Sequence, residues 1–234
     1  MQPRLEMILE MELEYEQLRQ AGDWQSALPR LDQVLQKSFA LNGDPPDNLA
    51  DLSLVAMLAV QKGRLLQEIT TVILVNGETG ELSPTMPSER RQEFTEQSLN
   101  WLQIGLAATQ KALAHTTAEP GSPWQRFLHH QLVAIRRGFL AVHSGDQAEL
   151  LKRHLPLIRH LFSLLWMGGD LAGAEDLLYL LGEIEGMPEM KVTGQTFYQE
   201  LLKLPDNQLE AGGLPRTEIL AALADWDMTP PPKA

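Results

Sequence analysis

Five of the six histidines in this chain, His129, His130, His143, His154 and His160, fall within 32 residues. Such a density raises two chemistries, metal ligation and proton transfer. A metal site on helices needs His or Glu at i, i+3 or i, i+4 on one inward face. No His–His or Glu–His pair in this stretch has either step, so the spacing predicts structural or surface roles. No glycine-rich phosphate loop follows a strand, no Gly-x-Ser-x-Gly elbow is present and no paired carboxylates form a known motif. The residues therefore name no catalytic, metal-binding or cofactor-binding set, and the expectation is a non-enzyme without a cofactor. A helical metalloenzyme built on the histidines is kept as the second alternative.

Charge is distributed more tellingly than histidine. The chain holds 19 Lys and Arg against 31 Asp and Glu, a net charge of -12. Between Pro123 and His160 the balance reverses, with Arg126, Arg136, Arg137, Lys152, Arg153 and Arg159 against only Asp146 and Glu149. On a helix, Arg126, His130 and Arg137 fall in one narrow stripe flanked by His129 and Arg136. Lys152, Arg153, Arg159 and His160 form a second stripe if Pro156 only kinks its helix. Charge runs usually mark a solvated face, and here the acidic N-terminal helix could also answer one. The functional reading is a docking surface made of Arg126, His130, Arg136, Arg137, Lys152, Arg153 and Arg159, fitted to another protein with an acidic surface. A nucleic acid strand is the less favoured partner, because the net charge repels phosphate.

Composition bounds the elements that must carry these residues. With 234 residues and 44% hydrophobic content the chain can bury a core as one large helical domain or two small ones. It has no cysteine, which rules out disulfides and thiolate metal sites and fits a reducing, cytoplasmic setting. Glu6, Glu10, Glu12, Glu14 and Glu16 interrupt what an export signal would keep apolar, so none is expected there. The longest stretch free of charge, Gln97 to Gln110, is 14 residues, short of the roughly 20 that a spanning helix needs.

Apolar residues recur at three- and four-residue steps throughout, which predicts an all-α fold. Helices are expected over about 4–20, 24–40 (with Pro29 inside) and 48 to the early seventies. Two readings stand for 70–84: a helix end capped at Asn76-Gly77, which is preferred, or a small β-hairpin. Further helices are expected from after Pro87 to His115, from Pro123 to Ser144 under a Ser122 cap, and on either side of Pro156. Leu171 to Glu185 forms the last strong one. Asp146 and Glu149 stand at capping-box spacing. Beyond Pro188 the pattern predicts a short helix over Phe197 to Leu204, a connection from Asp206 to Gly213, and a helix from Pro215 to Trp226 docked on its own core. A proline-rich tail follows from Thr229. Trp24, Trp101, Trp124, Trp166 and Trp226 fall one to a helix, as hairpin packing requires.

Two turns share a pattern: Gly22, Asp23, Trp24, Ala27, Leu31 and Val34, and Gly169, Asp170, Leu171, Ala174, Leu178 and Leu181. Each resembles the turn and second helix of a tetratricopeptide repeat, which implies stacked helical hairpins. Tyr15 and Phe162 stand where the repeat expects a small residue, and the two turns lie 147 residues apart rather than at the family period of about 34. The N-terminal 75 residues also resemble, through Asp23-Trp24 and its flanking helices, small helical secretion and flagellar export chaperones. The expected architecture is therefore antiparallel helical hairpins, tetratricopeptide-like or an irregular bundle, of about seven to nine helices. Its parts would be an N-terminal hairpin region (1–83), a central helical region (84–188), and short helices with a tail (189–234). The expected function is protein–protein interaction, as an adaptor, chaperone or assembly subunit. A subunit of a nucleoprotein assembly is the first alternative.

Overall fold

The computed structural model describes residues 13–14, 17–18, 20–21, 23–39, 49–71, 73–75, 82–84, 87–115, 122–144 and 148–226. Ten α-helices lie among them, and eight of these run seven residues or more. The fold is all-α apart from one short two-stranded ribbon. The expected turn glycine Gly22, the Gly145-Asp146 turn, the 42–46 loop and the tail from Thr229 lie outside the described residues, as does most of the expected helix over 4–20. The chain forms two compact units, 1–138 and 139–234. The division falls between residues 138 and 139, inside the helix Pro123–Ser144.

The first unit starts with α1 (Trp24–Phe39) and α2 (Leu49–Thr71). Asp23 caps α1, its Oδ1 accepting from the amide of Ser26 at 3.2 Å. Ala27, Leu31, Val34 and Leu35 of α1 pack against Leu58 and Leu65 of α2. Over this seam Lys62 pairs with Asp32 and sits 4.3 Å from the centroid of the Trp101 ring. The long helix α3 (Ser88–His115) runs antiparallel to α2, and they approach closely because a glycine on each leaves room for a larger side chain of the other. A Cβ on Gly63 would stand 2.9 Å from Leu102, and one on Gly105 would stand 2.7 Å from Val60. The Ser98 hydroxyl donates to the Gly63 carbonyl at 2.8 Å across this interface. The first part of α4 (Pro123–Ser144) adds Leu128 to a cluster with Leu52 and Ala112. Near its middle the Gly138 carbonyl accepts from Gln67 Nε2 at 2.8 Å.

Between α2 and α3 the preferred reading of 70–84 needs correction. The helix stops at Thr71, and β1 (Ile73–Val75) pairs antiparallel with β2 (Leu82–Pro84), Val75 opposite Leu82 and Ile73 opposite Pro84. The β-branched run leaves the helix because its side chains lose χ1 freedom there. Its partner is not the polar 78–81 arm but the next three residues. Pro84 is the last of them, where a missing N–H costs the ribbon little.

The second unit takes the rest of α4, then α5 (Ala148–Lys152), α6 (Leu155–Met167) and α7 (Leu171–Glu185). Pro156 lies in the first turn of α6, so the break before it falls where expected. Gly169 turns the chain with φ +82°. Asp170 then caps α7 by accepting from the Gly173 amide at 2.9 Å. Two further amides at that end, Leu171 and Ala172, donate to the Gly212 carbonyl at 3.0 and 3.1 Å.

Past Gly186 the structure departs from the short-helix expectation. A 16-residue helix, α8 (Met187–Leu202), replaces the short one over Phe197 to Leu204. Pro188 opens this helix instead of stopping the chain, since its ring suits a first turn where the N–H has no partner. Met190, Gly194, Phe197, Tyr198 and Leu201 form its buried stripe. The expected connection holds α9 (Asp206–Ala211), with Leu209 fully buried. The chain then forms α10 (Arg216–Ala222) and a 3-10 turn (Leu223–Trp226), docked on its own unit as expected. Ile219, Leu223 and Trp226 are buried, and the Trp226 ring lies against Tyr179 and Tyr198 with centroids 5.8 and 6.3 Å away.

A Cβ built on Gly194 would stand 2.1 Å from the Trp226 ring. Gly194→Ala is therefore expected to destabilise the second unit by about 1–3 kcal/mol through overpacking. The exposed Val192→Ala on the same helix should stay within about 0.5 kcal/mol. Urea denaturation followed by tryptophan fluorescence separates the two.

Candidate functional site

Helix α4 starts on the strongest local signal in the chain. The Gln125 amide donates to Ser122 Oγ at 3.2 Å, the Arg126 amide donates to the Ser122 carbonyl at 3.0 Å, and Pro123 occupies the first turn. Leu128, Leu132, Ile135, Phe139 and Val142 make its buried stripe. That stripe sends Arg126, His130 and Arg137 outward, and all three are exposed. Among the described residues none of the three meets a carboxylate. From Arg126 to Arg137 the axis rises about 16 Å. Trp124, 42% exposed and edge-on to Phe127, stands in the first turn in line with Leu128 and Ile135, not on the face of Arg126 and Arg137. No Asp or Glu occurs anywhere on α4.

The remaining members of the expected surface stand differently. Arg136 is half-buried beside the outward stripe, and it makes contacts of its own. In the second unit Lys152 donates to Glu149 at 2.6 Å, one turn back on α5. Arg159 reaches Glu185 through two parallel bonds, Nε to Oε1 at 3.0 Å and a guanidinium nitrogen to Oε2. Arg153 is exposed and engaged within the chain. The fork on Glu185 fixes Arg159 in a geometry that a partner would have to break. Of the expected surface's Lys and Arg residues, Arg126 and Arg137 are thus the two that no carboxylate among the described residues answers.

The histidines take separate roles. His143 pairs with Glu183, and the His154 carbonyl receives the first amides of α6, from Leu157 at 2.9 Å and Ile158 at 3.0 Å. His129 and His160 are half-buried, and His130 is exposed. Among the described residues no three His, Asp or Glu side chains gather as a metal site. No helix among those residues is long and apolar enough to cross a membrane.

Sequence reasoning missed a polar network in the second unit. The Tyr198 hydroxyl donates to Glu175, and the Tyr179 hydroxyl donates to Asp225 Oδ2 at 2.8 Å. Burial raises the Glu175 carboxyl above its ordinary value, and the nearby charges of Asp176 and Glu218 add to the effect against the Tyr198 hydrogen bond. Burial likewise pushes up both phenols, helped by the carboxylates they bind. One signal was present in the sequence: Glu175 and Tyr179 lie one turn apart on the same helix. An open depression of about 670 Å³ also lies beside the Gly168-Gly169 turn, between Trp166 and Leu204. Its one charged side chain, Glu200, is already paired with Lys203 at 2.6 Å.

The chain matches the model of a family of unknown function, DUF6483, over residues 68–228. No curated protein and no solved structure matches it. The matched span includes α4 and the tyrosine–carboxylate network, and it leaves out α1 and most of α2.

The Asp170 cap generates a direct test of how firmly this matched region is closed. Asp170→Ala should cost about 1 kcal/mol of stability in urea denaturation, and Asp170→Asn should cost a few tenths.

Proposed function

The chain belongs to the DUF6483 family, of unknown function, and we propose that it is a non-enzymatic interaction module that holds an acidic segment of a partner protein along α4. It would serve as an adaptor, chaperone or assembly subunit. The observation that carries this reading is a helix without a single acid in a chain of net charge -12, with Arg126, His130 and Arg137 exposed along one face. Paired charges would set register and encounter rate. The likeness of the two Gly-Asp turns to tetratricopeptide hairpins supports a scaffold role in the same sense.

The test is capture from host extract on the immobilised chain, at low and high salt, with and without nuclease. A protein retained at low salt is expected, and the double variant R126E/R137E should hold it about tenfold more weakly without a change in melting temperature. Arg136 is avoided because it is half-buried. Equal retention by wild type and variant would remove α4 as the docking face. Retention that nuclease abolishes would identify a nucleoprotein subunit instead.

A further inference from the structure

The depression of about 670 Å³ in the second unit gathers the C-terminal ends of two long helices around one aromatic ring. Trp166 comes from the end of α6, Glu200 and Leu204 from the end of α8, and Gln208 and Gly212 from α9 and the residue beyond it. The Trp166 ring is half-buried and lies against Phe162 and Phe197, with centroids 5.6 and 5.3 Å away. Two aromatic neighbours therefore hold it in place as a platform.

The charge and hydrogen-bonding groups around that platform favour one sign of ligand. The amides of Gly168, Gly169 and Gly212 already donate to the carbonyls of Leu164, Trp166 and Gln208. The start of α7, where an anion would otherwise be drawn, is closed by the Asp170 carboxylate and by the Gly212 carbonyl. The donors left are neutral, the Trp166 indole and the Gln208 side chain. The one charged side chain in the lining is Glu200, and the last turn of α6 carries no base to answer its backbone dipoles. Arg216 closes the end of α8 on the carbonyls of Leu202 and Leu204 and is itself held by Asp206. Lys203 pairs with Glu200 at 2.6 Å, but the two side chains are 66% and 50% exposed, so this pair is weak and exchangeable. A carboxylate beside a fixed aromatic ring suits a planar cation on an apolar stem, because a guanidinium stacks on the ring and bonds to the acid at once. We propose that this depression is a docking site for an arginine side chain of a partner protein, its guanidinium laid on Trp166 and bonded to Glu200 in place of Lys203. The site shares no residue with the α4 face, and neither reading depends on the other.

Proton–nitrogen correlation spectra of the full chain, titrated with acetyl-Gly-Arg-Gly amide, test the site. Trp166→Phe serves only to assign the indole signal. The Trp166 indole and the amides of Gly168, Gly169 and Gly212 should shift together, with a Kd on the order of millimolar for so small a probe. The same peptide carrying leucine or glutamate should leave them still. Glu200→Gln should weaken the arginine peptide by about threefold, and Lys203→Gln, which removes the internal competitor, should tighten it by about twofold. Both positions are exposed, so neither change endangers the fold. Silent Trp166 signals, equal shifts with the leucine or glutamate peptide, or a Kd that neither variant moves overturns the proposal.

Discussion

The distance between α2 and α3 is set by side chains that are not there. Where Gly63 faces Leu102 and Gly105 faces Val60, a single added carbon would stand within 2.9 Å of its neighbour. The helices consequently meet nearly backbone to backbone, close enough for the Ser98 hydroxyl to reach the Gly63 carbonyl across the interface. Everything else in the first unit is referred to this crossing. Leu102 fills the space beside it, α1 lays its apolar stripe on the far side of α2, and Gln67 reaches the backbone of α4. A face that must fit this closely is fixed in rotation as well as distance, so the opposite face of each helix is fixed too.

The second unit applies the same constraint to its end. Gly194 makes room for the whole indole of Trp226, and the Gly212 carbonyl approaches the start of α7 closely enough to receive two of its amides. These contacts explain why 216–226 is an integral part of the unit although its helix is only seven residues long. A segment so short has almost no helical stability of its own. Its structure comes from burying Ile219, Leu223 and Trp226, and from the Arg216 fork on the end of α8.

Features that depend on neighbouring residues were legible in the sequence. The Ser122-Pro123 start and the break at Pro156 each need only three or four residues to be recognised, and each stands where the spacing placed it. Features that depend on distant partners were not. The strand at 73–75 exists because 82–84 pairs with it, and α8 continues through Gly194 because Trp226, 32 residues later, packs there. The same reason hid the polar network, whose hydrogen bonds span 23 and 46 residues. The basic stripe was legible in part. Periodicity placed Arg126, His130 and Arg137 on one face, but it could not know that Glu185 would claim Arg159 or that Arg136 would turn partly inward.

What distinguishes α4 is that it carries Arg126 and Arg137 with no acid of its own. Lys62 meets Asp32, Arg30 meets Glu14, Lys203 meets Glu200 and Arg216 meets Asp206, whereas Arg64, Arg90 and Lys111 of α2 and α3, like Arg126 and Arg137, meet no carboxylate among the described residues. Among the described residues Arg126, His130 and Arg137 meet no carboxylate, although the chain holds 31 acids against 19 Lys and Arg. Nor does folding require them, since exposed charges on a helix contribute little to its stability. Their arrangement spans about 16 Å of one helix. A solvated face with no partner would be expected to mix both signs, as the first turns of α3 do with Glu89, Arg90, Arg91 and Glu93. The single sign on α4 is the property that an acidic partner would read.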